Sequence, residues 1–214
     1  MQQALVAAAC GYLLGSIPFG YLAGRLRGVD IRKVGSGNIG ATNVWRTLGR
    51  GPGAAVFVLD ALKGALAASL FPSPAAALCG AVGAMLGHSF PVFLGFKGGK
   101  GVATGLGVAV GLVPHSAALG LAVWVVIFLC SRYVSLASVA AAATVGAAPW
   151  FLDRGGDGCG RIAVCAAVSA LAALVVLKHR GNMVRLVRGT ENRFCFTKKQ
   201  LEARARKENG DGVR

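Results

Sequence analysis

The chain has 214 residues, 55% of them hydrophobic and 14% charged, with a mean hydropathy of +0.61. Soluble domains carry about a quarter charged residues, so an ordinary soluble domain is excluded and an integral membrane protein is indicated. The formal net charge of +15 would point to nucleic acid in a soluble protein; here the cations lie between and after apolar segments, where the positive-inside rule accounts for them, and no nucleic-acid partner is expected.

Residues 1–24 carry no charge. The basic n-region of a secretory signal is missing, so residues 3–24 are predicted as a retained first transmembrane helix. Further apolar segments follow at about 54–71, 75–94, 102–113, 116–131, 134–151 and 161–177. A span needs about 20 residues, so the fourth and fifth are short, and residues 102–131 could instead form one long helix in a six-span chain. Charge decides between these counts. With seven spans and the N-terminus outside, the inner segments 25–53, 95–101, Arg132 and 178–214 hold six, two, one and eleven Lys/Arg, and only Arg154 and Arg161 fall outside. Six spans would expose either the basic tail or the basic first loop, against the positive-inside rule. The predicted fold is therefore an all-α seven-transmembrane-helix bundle. Its N-terminus is outside and its C-terminus cytoplasmic. The fourth and fifth helices are short and are separated by a turn at Pro114-His115.

Small residues four apart recur at Gly11/Gly15, Gly20/Gly24, Gly83/Gly87 and Gly107/Gly111, a pattern that lets helix backbones pack closely in lipid. Asp60 and Lys63, inside the second span, are read as a structural i,i+3 pair, with an indirect role in a site as the alternative. The six cysteines show no C-x-x-C pair and no metal-like spacing with His88, His115 or His179, so neither a disulfide nor a metal site is predicted. Cys159 is placed in an external loop. The polar tail from about Arg193, which includes Cys195, is expected to form a short helix with a frayed end.

Three polar segments fall on one side of the bundle. The first is Gly35-Ser36-Gly37-Asn38-Ile39-Gly40-Ala41-Thr42-Asn43, with Arg46 one turn on. Its three glycines can form a nest of backbone N–H groups, and a short helix from Ala41 to Leu48 adds an anion-favouring N-terminus. The spacing of Gly35, Gly37 and Gly40 matches a dinucleotide fingerprint, but that motif needs a preceding strand, and this loop lies between helices; a plain interhelical loop is the competing reading. The second segment runs from His88 to Thr104. It fails the Walker A pattern because Lys100 follows Gly95 without Gly-Lys-Ser/Thr, yet Gly98, Gly99 and Gly101 form an N–H-rich turn around Lys100, with a positive-inside loop as the alternative. In the third, His179, Asn182 and Leu186 are spaced to share a helical face, with Arg185 and Glu191 nearby; Glu191 is read as a structural charge partner.

Two common catalytic arrangements are absent. His88 and His115 are followed five residues later by Phe93 and Gly120, so there is no H-x4-D dyad, and no G-x-S-x-G elbow surrounds Ser36.

Ser36-Gly-Asn-Ile-Gly-Ala-Thr-Asn43, the run from Phe90 to Thr104, and His179-x-x-Asn182-x-x-Arg185 with Gly189-x-Glu191-Asn192 resemble the three signatures of the PlsY family, the bacterial acyl-phosphate:glycerol-3-phosphate acyltransferases. Leu59-Asp60-x-x-Lys63-Gly64 and Arg132-Tyr133-Val-Ser135-Leu-Ala-Ser138 also look familial. The resemblance spans about Gly15 to Asn192. It implies one transmembrane acyltransferase domain, 1–192, with 193–214 as a charged cytosolic tail. It further implies transfer of a fatty acyl group from acyl phosphate to the 1-hydroxyl of glycerol 3-phosphate, giving lysophosphatidic acid and phosphate at the cytoplasmic face of the cell inner membrane. No cofactor is implied; membrane lipid and the enzyme that makes acyl phosphate are the expected partners. By the same resemblance Gly37, Asn38, Gly40, Ala41, Thr42 and Asn43 hold acyl phosphate. Ser36, Arg46, Lys100, His179 and Asn182 are the catalytic residues and, with Gly98, Gly99 and Gly101, hold glycerol 3-phosphate. An acyl phosphate is already activated, so catalysis can rest on positioning and charge stabilisation, with a substrate phosphate or His179 taking the hydroxyl proton. Ser135 and Ser138 either line the pocket or hydrogen-bond between helices. The alternative function is a transporter or channel for a phosphorylated small solute, against which stands the lack of a visible inverted repeat.

Overall fold

The computed structural model describes residues 1–153 and 158–194; Arg154, Cys195 and the rest of the tail lie outside them. Ten α-helices are present among the described residues: α1 (Gln2–Ser16), α2 (Phe19–Arg25), α3 (Ala41–Leu48), α4 (Arg50–Ser69), α5 (Pro74–Ser89), α6 (Val102–Leu112), α7 (Pro114–Ser131), α8 (Val134–Ala147), α9 (Gly158–Lys178) and α10 (Arg180–Val187). Five stretches are long and apolar enough to cross a membrane: Gln2–Arg25, Arg50–Ser69, Pro74–Leu94, Pro114–Ser131 and Gly158–Lys178. Two shorter apolar stretches, Val102–Leu112 and Val134–Trp150, pack among them.

Several elements differ from the sequence expectation for local reasons. The first apolar segment is broken between α1 and α2, because Pro18 has no N–H and its ring clashes with a helical carbonyl one turn back. The second span begins earlier, at Arg50; Pro52 lies in the first helical turn, where its missing N–H removes no helix bond. The fifth helix is longer than expected, since Pro114 occupies its first turn instead of ending a turn before it. Its first turn is capped from a distance: Asp153 accepts the backbone N–H groups of His115 and Ser116 at 3.1 Å each. The last span begins earlier, at Gly158, so Cys159 belongs to α9 and not to a loop.

Close backbone contact holds the bundle. A Cβ on Gly11 or Gly15 would fall on the carbonyl oxygens of Gly80 and Ala84 in α5, and one on Gly107 would fall on Ala61 in α4. Gly11/Gly15 and Gly83/Gly87 thus sit in the α1–α5 interface and Gly107/Gly111 in the α4–α6 interface, where approach and not side-chain bulk supplies the packing, whereas Gly20 and Gly24 lie against the loop segment 29–44 and not against another spanning helix.

The break after α1 leaves the Ile17 carbonyl without a helical partner, and Lys63 donates to it at 2.9 Å. The same ammonium lies 2.7 Å from Asp60 Oδ1 and 5.5 Å from the Phe19 ring. Asp60 and Lys63 are 3% and 2% exposed. The expected i,i+3 pair therefore exists, and it also stitches the broken first span to α4.

Three successive carbonyls at the C-terminal end of α5, which a helix leaves unpaired, are each capped from another part of the chain. Gly99 N–H donates to His88 O at 3.0 Å, Lys178 to Ser89 O at 2.8 Å and the Tyr12 hydroxyl to Phe90 O at 2.8 Å. The end of α5 is thereby a fixed platform for the loop that follows it.

Candidate active site

One cavity of about 820 Å³ runs between α3, α4, α6, α7, α8 and α9. One end is polar, lined by Ser36, Asn38, Gly40, Ala41, Thr42, Asn43, Arg46, Lys100, Gly101, His179, Asn182 and Glu191. Most of the remaining wall is apolar, with Phe57, Leu106, Trp124, Val145, Val168 and Leu171, although Asp60 and His88 also reach it. Residues from all three polar segments, from Ser36 to Glu191, therefore meet on one cavity.

The first segment is held by Asn43, which is 1% exposed. Its Oδ1 accepts the Ser36 N–H at 2.9 Å, and its Nδ2 donates to Ile31 O and Val34 O at 3.1 and 3.0 Å. All three of these bonds shape the loop, and Asn43 also lies on the cavity wall. Gly37 adopts φ +69°, which only glycine adopts cheaply, and its N–H closes the turn to Val34 O at 3.0 Å; it is not on the cavity wall. Gly40 has an ordinary φ of −75° and lines the cavity. Among the described residues, the N–H groups of Asn38, Ile39, Gly40, Ala41 and Thr42 have no hydrogen-bond partner, and all but Ile39 belong to wall residues. They form a row of donors at the start of α3.

The second segment divides in two. Gly98 and Gly99 are absent from the cavity wall: Gly99 spends its N–H on His88 O, and a Cβ on either would collide with His88. Lys100 and Gly101 reach the cavity, and Gly101, at φ +83°, turns the chain into α6.

The third segment is not one continuous helical face. α9 ends at Lys178, His179 forms the corner, and its carbonyl accepts from Asn182 and Met183 as α10 begins. The corner still turns both His179 and Asn182 to the cavity. Asn182 is a two-sided bridge: Lys100 donates to its Oδ1, while its Nδ2 donates to Glu191 Oε1 at 2.7 Å. Glu191 also accepts from Ser135 at 2.9 Å and from Arg185 at 2.8 Å. The carboxylate therefore fixes which way the Asn182 amide faces. Ser135 lines the cavity and binds Glu191, and Ser138 accepts from Trp124 Nε1 across α7 and α8 at 3.2 Å.

Electrostatics favour an anion. Burial pulls the Lys100 ammonium down to about 8; Glu191 opposes that, and Arg185 and Arg46 add to it by repulsion. Burial also pulls His179 down to about 4, opposed by its hydrogen bond to Val175 O and assisted by the Lys100 charge. Burial by itself would raise Glu191, but the hydrogen bonds from Asn182, Ser135 and Arg185 outweigh it and hold the carboxyl below its usual range. His179 is thus neutral at pH 7. Its Nδ1 lies 2.8 Å from Val175 O; a carbonyl only accepts, so Nδ1 carries the proton and Nε2 keeps its lone pair.

Sequence reasoning passed over several wall residues. Trp45 lies 5.8 Å from Phe194, Phe194 lies 5.4 Å from Phe128, and Phe128 stacks on Trp124 at 4.8 Å, all centroid to centroid. Arg46 donates to Asn192 O at 3.3 Å, and Phe194 N–H to Arg132 O at 2.8 Å, so the segment after Glu191 is packed against the domain as far as Phe194. Only the proximity of aromatics to the polar signatures could have flagged these residues, and lipid-facing aromatics give the same signal.

The fold and site define a multi-pass integral membrane protein with a cavity that has cationic and N–H-rich walls at its polar part and apolar walls elsewhere. A family model described as glycerol-3-phosphate acyltransferase matches residues 5–189. The chain is 48% identical over 193 residues to a protein named glycerol-3-phosphate acyltransferase from Mesorhizobium japonicum, covering 89% of this chain and 95% of that one. It is 45% identical over 199 residues to one of the same name from Geobacter sulfurreducens, covering 91% and 99%. Crystal structures of PlsY, an integral membrane glycerol 3-phosphate acyltransferase, are similar at 42% identity and 90% coverage of this chain, with TM-scores of 0.81 for the glycerol 3-phosphate form and 0.79 for the lysophosphatidic acid form. They cover 96% and 95% of those chains. The chain belongs to the glycerol-3-phosphate acyltransferase family.

Proposed function

We propose that this protein transfers a fatty acyl group from acyl phosphate to the 1-hydroxyl of glycerol 3-phosphate, releasing lysophosphatidic acid and phosphate. The observation that carries the reading is a cavity with a cationic, N–H-rich part and a long, mostly apolar remainder, which suits two phosphates and one acyl chain. The donor row from Asn38 to Thr42 holds the acyl phosphate. Arg46, Lys100 and Asn182 hold glycerol 3-phosphate, with Ser36 and the His179 Nε2 directing its 1-hydroxyl at the carbonyl carbon. The hydroxyl oxygen forms the new ester bond, the carbonyl–phosphate bond breaks, and the hydroxyl proton leaves with the phosphate. Burial pulls His179 down to about 4, which disfavours it as a base, so a substrate phosphate is assigned the proton and His179 serves to position the acceptor.

The test is purified protein in detergent with acyl phosphate and glycerol 3-phosphate. Equal release of phosphate and lysophosphatidic acid is expected, persisting in chelator and without coenzyme A or carrier protein. Activity with acyl-coenzyme A alone, or only after a divalent metal is restored, would reject the donor assignment.

The same reading makes residues 1–192 one acyltransferase domain and puts the polar end of the cavity at the cytoplasmic face of the bacterial inner membrane. Val102–Leu112 and Val134–Trp150 complete seven spans, and 193–214 is the cytosolic tail. The basic loops at that end support this orientation. Cysteine labelling in intact cells is expected to reach position 2 but not position 210; labelling of both from one side would rule out an odd number of spans.

A further inference from the structure

Lys100 does not reach the cavity on its own. It stands between Gly99 and Gly101, and both glycines rest on α5: a Cβ on Gly99 would fall on the His88 ring, and one on Gly101 would lie 2.8 Å from Met85 Cε. His88 O also takes the Gly99 N–H at 3.0 Å. The imidazole is 5% exposed and fills the space between Gly99 and the buried ion pair, with its Nδ1 3.6 Å from Asp60 Oδ1. That separation is too long for a hydrogen bond, and His88 Nδ1 has no hydrogen-bond partner among the described residues. Both His88 and Asp60 line the cavity, yet the proposed chemistry uses neither. A buried ring with an unspent nitrogen, set between a fixed charge and a glycine that has no room for a side chain, needs a reason to be there.

We propose that His88 is a positioning residue for Lys100: its ring, backed by Asp60, sets the height of the Gly98–Gly101 turn and so the place of the ammonium in the glycerol 3-phosphate site. The proposal rests on the assignment of Lys100 to that phosphate. Without the ring the turn can sink towards Asp60, and the ammonium moves away from its Asn182 partner and from the ligand.

The experiment compares steady-state kinetics of His88→Ala, His88→Gln, Lys100→Ala and the double variant His88→Ala/Lys100→Ala, purified in detergent, with each substrate varied in turn. His88→Ala is expected to raise the KM for glycerol 3-phosphate about tenfold, with a much smaller change in kcat and none in the KM for acyl phosphate. His88→Gln, which restores a planar polar group, is expected to recover most of that loss. In the Lys100→Ala background the His88 substitution is expected to add less than about twofold, because residues acting through one interaction are not additive. If His88→Ala does not fold, His88→Leu carries the same comparison. Equal rises in both KM values, or a full His88 effect in the Lys100→Ala background, would overturn the positioning role. A Lys100→Ala variant with an unchanged KM for glycerol 3-phosphate would instead overturn the site assignment beneath it.

Discussion

Lys100→Ala is expected to raise the KM for glycerol 3-phosphate by about ten- to a hundredfold, the loss of one charge-assisted phosphate contact worth roughly 1.5–3 kcal/mol. The KM for acyl phosphate should change little, because the donor row at the start of α3 is built on the other loop. The pH dependence supplies a second readout. With the ammonium held down at about 8, Lys100 is charged below that pH and loses its charge above it. The wild-type KM for glycerol 3-phosphate should therefore climb as pH rises past about 8, and Lys100→Ala should lack that climb. Bound phosphate favours the protonated amine, so the limb should move upward at saturating substrate. A variant with wild-type kinetics at pH 7 and at pH 9 would remove Lys100 from the phosphate site.

The second large effect is on folding. Lys63→Met leaves the Asp60 carboxylate buried without its lysine partner and the Ile17 carbonyl without its side-chain donor. Removing one member of a buried ion pair costs about 3–5 kcal/mol, and a charge inside a membrane bundle has few other partners. Lys63→Met is expected to give little folded protein, seen as aggregation on size exclusion in detergent and a lowered unfolding temperature. Asp60→Asn/Lys63→Met, which removes both charges, is expected to recover much of the yield. If the single variant were as stable as wild type, the pair would not be what ties α4 to the broken first span.

How much of this was legible in the sequence differs residue by residue. The membrane class, the apolar segments and the helical pairing of Asp60 with Lys63 follow from hydropathy and from the 3.6-residue period, which are local properties. So do the glycine pairs, since small residues four apart lie on one helix face wherever that helix packs. The three polar signatures were visible because runs of glycine, amide and cation are rare in an apolar chain, and their resemblance to a family supplied the substrates that spacing could not.

The role of each residue within those signatures was a tertiary outcome. Asn43 reads in sequence as one more polar ligand, yet its amide closes the loop because Ile31 O, Val34 O and Ser36 N all converge on it. Gly98 and Gly99 read as phosphate-cradling glycines, yet they are small because His88 stands behind them. Asn182 joins Lys100 to Glu191 only because α9 breaks at His179 and turns α10 back over the α6 loop, a geometry that no spacing along the chain records. Local period and composition determine which segments are helical and which face of each is apolar; which polar atoms spend their hydrogen bonds on the protein and which stay open to a ligand depends on partners tens of residues away, and only the packed bundle decides that.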